Sequence, residues 1–427
     1  MTTAPSAIFS PAPSSDTHGP GAIAAAIATD PARQHWMEGA PPPADKLVRI
    51  EDGSAWRFPQ LRWSFSNFRR LVPTVEVSRG TMAPRTFPVA LRDDIDAMTF
   101  QPMANSGFDG PIRWEQSLLA NFTDAIVVLH RGTIVYERYF GVTGSATRHM
   151  LMSVSKSFAG TVAAMLVADG TLDETALVGA LVPELAASGF GDATLRQVLD
   201  MTTALAYSED YTSPTSDIVD LVIACGLSPG DSSGLRAYLP TIAKAGTHGA
   251  AFTYRTCNTD VLAWVLHRAT GKPLAQLVSE HFWQRLGMEQ DGNYTIDSHG
   301  TEFGGGGLSA TVRDIARFGE MMRLGGMVDG QRIVPQAVVD DIAGGGDPAR
   351  FAPAGYATLP GWSYRNQWWV SDHGPFTARG VRGQMIWVDP AAEMVIARLG
   401  SHPLAGNGNF DATSLPAWAA VAALLTR

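Results

Sequence analysis

Ser153 and Lys156 are three residues apart in LMSVSKSFAG, residues 151–160. On a helix this spacing places both side chains on one face, so the lysine amine can reach the serine hydroxyl. A serine becomes a good nucleophile when a base removes its proton, and lysine can be that base when burial or the helix dipole lowers its pKa. The N–H of Ser153 at the helix start could also stabilise an oxyanion. The alternative is a serine N-cap with a solvated lysine, but the apolar residues on both sides favour a buried lysine.

Tyr254 is a second candidate, in FTYRTCNTDVLAWVLHRATG at residues 252–271. The apolar residues of 261–266 form one helical face that ends at Gly271, so the helix is predicted to begin at Asn258 or Thr259. Tyr254 then lies on the loop just before this helix. A tyrosine beside a cationic lysine can have a lowered pKa and transfer protons. The alternative for this residue is a core aromatic.

A third candidate stretch is FTARGVRGQMIWVDP, residues 376–390. Its glycines, Gly380 among them, allow the edge of a strand to approach a substrate closely. The N–H of Val381 is then a natural second donor to an oxyanion. The alternative is a glycine-rich turn between strands.

Ser232 offers a competing nucleophile, because GDSSG at 230–234 matches the G-x-S-x-G motif of α/β-hydrolases. That motif requires a strand that leads directly into the serine and a helix directly after it. Gly226 and Pro229 interrupt the approach, and the chain lacks an alternating βα pattern. The sequence therefore favours Ser153 over Ser232.

The composition places limits on function. The chain has 427 residues, 45% hydrophobic and 17% charged, with a net charge of −9. Because lysine and arginine are not in excess, the chain lacks the positive charge that neutralises phosphates, and nucleic acid is not an expected partner. Cys225 and Cys257 form no disulfide framework and show no spacing that suggests zinc, which indicates a reducing compartment. The predicted enzyme uses neither a metal nor a cofactor. The apolar stretch 21–28 is too short for a signal peptide or a membrane span, which predicts a cytoplasmic protein. Residues 1–30 are predicted to form a disordered tail.

The elements that must position these residues are strands early in the chain, helices in the middle and strands late. A hairpin is predicted over 124–141, a second over 384–400 and a further strand over 366–372. A helix is predicted from Ser153 to Gly170, and the last helix from Pro416 to Leu425.

The predicted fold class is α+β, with an antiparallel sheet flanked by helices. Residues 31–170 and 300–427 are expected to form this α/β domain, and residues 171–299 a mainly helical region. The active site is expected between the two.

The three motifs, in this order, resemble those of the serine β-lactamase-like superfamily: S-x-x-K, then Y-x-N, then K-T-G or H-x-G. The sequence is most similar to the 6-aminohexanoate-dimer hydrolase branch. The stretches that carry this resemblance span about 36–400, and they include LHRGTIVYERYFG, MSVSKSFAGT, SEDY, NTDVLAWVL and GGGLSATVRDIARFG. The resemblance implies the β-lactamase-like fold, a catalytic trio of Ser153, Lys156 and Tyr254, an oxyanion hole from the N–H groups of Ser153 and Val381, and a homodimer.

The resemblance also implies substrate contacts. Tyr211 in SEDY is similar to a loop tyrosine that closes over substrate. In this branch an acidic residue recognises the amine of the substrate, and Val222 aligns near that position, with Asp217 and Asp220 close by. Gly304 aligns with the position of another polar residue of the pocket.

Two positions depart from the superfamily motifs. Thr256 replaces the asparagine of Y-x-N, and ARG at 378–380 replaces K-T-G. Ala378 cannot bind a β-lactam carboxylate as a lysine would, so β-lactamase activity is not expected. The predicted function is a serine hydrolase of small linear amides or esters that works through an acyl-enzyme. The alternatives are a short-chain carboxylesterase with little amidase activity and a non-catalytic binding protein on the same fold.

Overall fold

The computed structural model describes residues 16–230 and 232–427. Its α-helices, in chain order, are α1 Gly19–Ala28, α2 Pro31–Gln34, α3 Leu61–Ser64, α4 Asp93–Ala97, α5 Trp114–Ala120, α6 Val154–Ala168, α7 Val178–Leu181, α8 Leu195–Leu199, α9 Asp217–Ala224, α10 Leu235–Tyr238, α11 Cys257–Thr270, α12 Leu274–Val278, α13 Val312–Arg323, α14 Gln336–Gly344, α15 Pro348–Phe351 and α16 Gly408–Leu425. Its strands are β1 Thr74–Val77, β2 Thr99–Phe100, β3 Ile112–Arg113, β4 Thr123–His130, β5 Thr133–Tyr139, β6 His149–Met150, β7 Gly292–Thr295, β8 Leu308–Ala310, β9 Met327–Val328, β10 Gln331–Arg332, β11 Ser363–Arg365, β12 Trp368–Val370, β13 Phe376–Gly380, β14 Gln384–Asp389 and β15 Met394–Gly400.

A seven-stranded sheet joins the two ends of the chain. Its strand order is β11-β12-β13-β14-β15-β4-β5, and each neighbouring pair is antiparallel. The predicted hairpins correspond to β4–β5 and β14–β15, and the predicted further strand contains β12. The expectation that distant strands meet in one antiparallel sheet is therefore confirmed.

Both faces of this sheet are covered, which explains why its central strands are almost continuously apolar. Val127 and Leu129 of β4 belong to the core that contains α6 and α13. Ile126 and Val128, the alternate residues, belong to the core on the opposite face, with aromatic residues of α5 and α16. The two-residue period of the strand thus divides its side chains between two cores.

A second sheet, which the sequence analysis did not predict, supports the start of α6. Its four strands lie in the order β1-β7-β8-β6. β1 and β6 are four and two residues long, and β8 has three. Segments this short do not show enough alternation to be recognised as strands.

The N-terminal tail was predicted over 1–30, and this prediction is wrong for its second half. Residues 1–15 lie outside the described residues, but Gly19–Ala28 forms α1. Ala22 and Ala26 pack with Ala120 and Phe122 in a small apolar cluster. Small apolar residues on one face therefore attach this helix to α5, although its composition resembles a disordered segment.

The last helix begins at Gly408 and not at Pro416. Proline has no N–H, so Pro416 leaves the carbonyl of Ala412 without its usual partner within the helix. The N–H of Met103 donates to that carbonyl at 2.8 Å. This contact from a distant segment stabilises a proline inside the helix, and sequence patterns cannot reveal it.

No helix in the described part of the chain is both long enough and apolar enough to cross a membrane.

Candidate active site

Ser153 occupies the N-cap of α6, at the end of a strained turn. Met152, directly before it, has φ of +49°, which is unfavourable for a residue with a side chain. The helix that follows runs from Val154 to Ala168, and Gly170 takes the left-handed conformation just beyond it, as predicted. Ser155 Oγ donates to the carbonyl of Met152 at 2.6 Å and accepts from the N–H of Leu308. Both hydrogen bonds of the Ser155 hydroxyl are therefore made to the backbone, whereas the hydroxyl of Ser153 lies beside Lys156.

Lys156 is 1% exposed, and its Nζ makes three hydrogen bonds. They reach Ser153 Oγ at 2.8 Å, Thr256 Oγ1 at 3.1 Å and the carbonyl of Gly305 at 2.6 Å. Burial lowers the pKa of Lys156 to about 8, although the nearby carboxylates of Glu209 and Asp260 oppose the shift. The alternative of a solvated lysine is therefore excluded by the structure.

This set of partners also suits the neutral form of the lysine. A neutral amine has two N–H donors and one lone pair. The carbonyl of Gly305 can only accept, and Thr256 Oγ1 accepts from Lys156 because it donates its own proton to Glu209 Oε1 at 2.6 Å. The two donors are thus used, and the lone pair is left for the hydroxyl of Ser153.

Glu209 fixes the position of Thr256 from the loop that contains SEDY. Its Oε2 accepts from the N–H of Thr256 at 2.5 Å, and its Oε1 accepts from Thr256 Oγ1 and from the hydroxyl of Tyr211. Thr256 is the N-cap of α11, so the N-cap lies two or three residues before its predicted position at Asn258 or Thr259. Asn258 instead bonds Thr203 and the carbonyl of Arg255. The side chain of Thr256 faces Lys156, in the role that the asparagine of Y-x-N would have.

Tyr254 hydrogen-bonds to Ser153 through its hydroxyl, and its ring lies 5.2 Å from Lys156 Nζ. The expected lowering of its pKa is wrong. Burial raises the pKa of Tyr254 well above 10, and Glu209 adds to this because a second negative charge nearby is unfavourable. Tyr254 is therefore a protonated phenol at neutral pH. It can donate a proton, while Lys156 is the group that can accept one.

Val381 follows the last residue of β13, where this strand approaches the Ser153 turn. A Cβ at Gly380 would lie 2.6 Å from the carbonyl oxygen of Leu151 and 3.1 Å from the nitrogen of Ser153. Only glycine permits this contact. Ser153 and Val381 line the same cavity, and Arg382, next to Val381, has φ of +65°. The geometry thus brings the two predicted oxyanion donors to one place, with strained residues on both sides.

Two spaces meet at Ser153. The larger is a cavity of about 280 Å³, which we call the polar cavity. Its lining residues are Ser153, Glu209, Tyr211, Tyr254, Tyr356, Leu359, Trp369, Arg379, Val381, Gly406, Asn407, Gly408 and Asp411. The smaller is a recess of about 20 Å³, which we call the apolar recess. Its lining residues are Trp56, Met152, Ser153, Tyr211, Ile218, Val222, Leu227, Thr256, Phe303, Gly305, Gly306 and Val381.

The predicted substrate contacts differ in their positions. Tyr211 lines both spaces and Val222 lines the apolar recess, whereas Asp217 and Asp220 line neither. Gly304 requires a correction, because it lines neither space. A Cβ there would contact Ala263, Leu274 and Thr259, so Gly304 faces α11 and the next two glycines border the recess.

Ser232 is not placed as a nucleophile. The segment before it, Asp217–Ala224, is a helix and not a strand. Ser232 Oγ donates to the carbonyl of Ala224 at 2.9 Å. Within the described residues, therefore, no strand leads into Ser232 as a nucleophile elbow requires.

Glu209, Asp260 and Arg379 are charged residues of the site that sequence reasoning missed. Asp260 Oδ1 accepts from the N–H of Gly305 at 3.0 Å, so it holds the residue whose carbonyl bonds Lys156. Burial raises the pKa of Asp260 to about 7. Asp260 lies four residues after Thr256 on one face of α11, and this spacing was a usable signal. Glu209 and Arg379 reach the site only through the tertiary fold.

Comparisons with known proteins agree with this geometry. The β-lactamase family matches residues 113–413. The 6-aminohexanoate-dimer hydrolase of Paenarthrobacter ureafaciens is 36% identical over 351 residues, which cover 81% of this chain and 86% of that protein.

Solved structures are also similar to this chain. One from Bacillus anthracis, provisionally named a 6-aminohexanoate-dimer hydrolase, superposes with a TM-score of 0.80 at 28% identity and covers 91% of this chain and 99% of that one. EstCE1, a hydrolase with promiscuous acyltransferase activity, has a TM-score of 0.57 at 18% identity and covers 72% of this chain and 96% of that one. At that identity the likeness to EstCE1 concerns the fold alone.

Proposed function

Because the chain belongs to the β-lactamase family, and within it to the branch of the 6-aminohexanoate-dimer hydrolases, we propose that it is a serine hydrolase that cleaves small linear amides through an acyl-enzyme. The observation that carries this proposal is the 2.8 Å hydrogen bond between Lys156 Nζ and Ser153 Oγ at a position hidden from water. Ser153 is the proposed nucleophile, Lys156 its base, and Tyr254 the proton donor to the leaving group.

Acylation begins with neutral Lys156, which takes the proton of Ser153 as Oγ bonds to the substrate carbonyl carbon. The carbonyl oxygen becomes an oxyanion, and the N–H groups of Ser153 and Val381 are its proposed donors. Lys156 is now an ammonium with acceptors at Gly305 and Thr256. Burial makes this charged form costly, so Lys156 readily returns the proton in the next step.

Collapse of the tetrahedral intermediate breaks the C–N bond, and the leaving nitrogen must gain a proton. Tyr254 is protonated and hydrogen-bonded to Ser153, so it can donate to that nitrogen and recover a proton from Lys156. Water then attacks the acyl-enzyme, and the same groups act in reverse. Ser153 and Lys156 return to their starting protonation states, and the products are a carboxylic acid and an amine.

Amide hydrolysis is favoured over the short-chain carboxylesterase alternative. The 36% identical relative is named for a dimer joined by an amide bond. Amines are poor leaving groups without a proton, and Tyr254, a protonated phenol hydrogen-bonded to Ser153, is close enough to supply one.

A side-by-side assay tests the proposal. Purified protein is given 6-aminohexanoate dimer and p-nitrophenyl acetate, and Ser153→Ala and Ser232→Ala are measured beside the wild type. Turnover of the dimer that is lost in Ser153→Ala and retained in Ser232→Ala is the expected result. Turnover of both compounds that survives in Ser153→Ala would overturn the assignment of the nucleophile, and turnover of the ester alone would favour the carboxylesterase.

A further inference from the structure

A cleft of about 480 Å³ lies apart from both spaces at Ser153. Its lining residues come from three segments, 31–38, 63–70 and 142–148, and none of them lines the polar cavity or the apolar recess. We call it the arginine cleft. Its volume is in the range of sites that hold small molecules, and the proposed catalysis uses none of its residues.

The charge of the arginine cleft is strongly positive. Arg69, Arg70 and Arg148 all line it. Among the described residues of its lining, Glu38 is the only carboxylate, and its Oε2 already bonds His35 Nδ1 at 2.8 Å. The whole chain has a net charge of −9, so this local excess of positive charge is a specific attraction for anions.

The guanidinium groups are only weakly neutralised by the protein itself. Nη2 of Arg148 lies 3.8 Å from Asp291 Oδ2, which is too long for a hydrogen bond. In the described part of the chain, no carboxylate forms an ion pair with Arg69 or Arg70. Burial and the charge of Arg69 lower the pKa of Arg148, although Asp291 and two other carboxylates oppose the shift. A bound anion would relieve the repulsion between these two cations.

Arg70 is held in place by the wall of the cleft. Its guanidinium lies 5.2 Å from the centroid of the Trp63 ring, and its Nη1 donates to Asn67 Oδ1 at 3.3 Å. Trp63 is 5% exposed, so the ring is a fixed support. An ordered guanidinium loses little conformational entropy when it binds an anion, and its planar edge suits the paired oxygens of a carboxylate or phosphate.

We propose that the arginine cleft binds a small molecule with at least two negative charges, as diphosphates and dicarboxylates have. Three guanidinium groups exceed what one singly charged group can pair with, whereas two anionic groups can each accept from a planar pair of N–H donors. The concave shape suits a small molecule, and the net charge of −9 disfavours an extended polyanion.

Isothermal titration calorimetry of the full chain tests the site. Pyrophosphate represents the diphosphates and succinate the dicarboxylates, and sodium chloride keeps the ionic strength equal in every titration. We expect a one-to-one complex with at least one of the two compounds, and the tighter binder identifies the class. Acetate, with a single charge, is expected to bind about tenfold more weakly or less.

Paired variants locate the bound anion. Arg69→Gln with Arg148→Gln removes two of the three charges of the cleft, so the Kd is expected to rise about tenfold or more. Arg131→Gln with Arg350→Gln is the matched control, because it removes the same number of charges at exposed ion pairs outside the cleft. This control should bind as the wild type does. Arg69→Gln alone breaks no ion pair and should also weaken binding.

Absence of a one-to-one complex with either compound would overturn the site. Binding that survives in Arg69→Gln with Arg148→Gln, or that weakens equally in the control pair, would also overturn it. Ser153→Ala is expected to bind the anion as the wild type does, since Ser153 lies outside the arginine cleft. The outcome therefore does not depend on the proposed function.

Discussion

The Nζ atom of Lys156 lies 2.8 Å from Ser153 Oγ, and the same nitrogen bonds Thr256 and Gly305. Because both other partners act as acceptors, the lone pair of the neutral amine is directed to the serine hydroxyl. The serine, the base and the groups that orient the base are thus held by α6, the N-terminus of α11 and the loop before β8. This relationship supports the proposal that Lys156 is the base that activates Ser153.

The pKa of Lys156 predicts the pH dependence of activity. The base must be neutral, so kcat/KM is expected to rise with pH, with the midpoint of the rise at about 8. Glu209 raises the pKa of Lys156, and removal of its charge in Glu209→Gln should therefore move the midpoint to lower pH. Hydrolysis of p-nitrophenyl acetate, measured from roughly pH 5 to 10, gives the midpoints. Glu174→Gln, at a surface ion pair, is the control, and a midpoint that rises in Glu209→Gln would contradict the electrostatic assignment.

The lowered pKa of Lys156 also predicts how this residue affects the free energy of unfolding at different pH values. Its folded-state pKa is lowered from 10.5, so its charged form is penalised below about pH 8 and the penalty is relieved as pH rises toward 10.5. Lys156→Met should accordingly lose activity yet unfold at the same or a higher temperature at pH 7. A large fall in melting temperature at that pH would show that the lysine stabilises the fold.

Thr256 is expected to orient the base through its hydroxyl. Thr256→Val keeps the shape of the side chain and removes the acceptor for Lys156 and the donor to Glu209. We expect kcat to fall by about tenfold or more, the usual effect of losing a hydrogen bond to a charged or buried group. Thr256→Ser retains the hydroxyl and is the matched control. Equal activity in the valine and serine variants would exclude this orienting role.

Tyr254 should matter more for amides than for activated esters. In Tyr254→Phe the leaving amine lacks its proton donor, and amide turnover is expected to fall by about 100-fold or more. p-Nitrophenolate leaves without a proton, so hydrolysis of its ester should fall much less. The ratio of the two rates in each variant provides the test. A proportional loss with both substrates would point to a role in positioning Ser153.

The β-lactamase-like fold and its antiparallel sheet were predicted correctly from the order of three motifs and from two hairpins with clear patterns. The helix of Ser153 and its end at Gly170 were also predicted, because periodicity and a left-handed glycine are local signals. Glu209 and Arg379 could not be found in this way. Glu209 lies 47 residues from Thr256 in the chain, and its role exists only after the loop folds over α11.

The raised pKa of Tyr254 could not be predicted from the sequence either, because it depends on the burial of the phenol and on the charge of Glu209. The four-stranded second sheet and the interior position of Pro416 were missed for the same reason. In each case a partner that is distant in the chain, such as Met103 for α16, decides the local structure.

Gly380 should be essential for the approach of β13 to Ser153. Its φ of −126° suits alanine, so the effect of Gly380→Ala is steric and arises from the contacts with Leu151 and Ser153. Displacement of one oxyanion donor predicts a loss of about 100-fold in kcat. Gly344→Ala is the control, because no atom lies within 4 Å of a Cβ there. Full activity in Gly380→Ala would contradict the placement of Val381 in the oxyanion hole.

The central claim is that Ser153 is the nucleophile and that Lys156 activates it. Peptide mass spectrometry after treatment with a fluorophosphonate tests this most directly, with wild type, Lys156→Met and Ser153→Ala treated in parallel. We expect one adduct on Ser153 in the wild type, a much slower reaction in Lys156→Met and none at this position in Ser153→Ala. An adduct on Ser232, or labelling of Ser153 at the same rate without Lys156, would contradict the account.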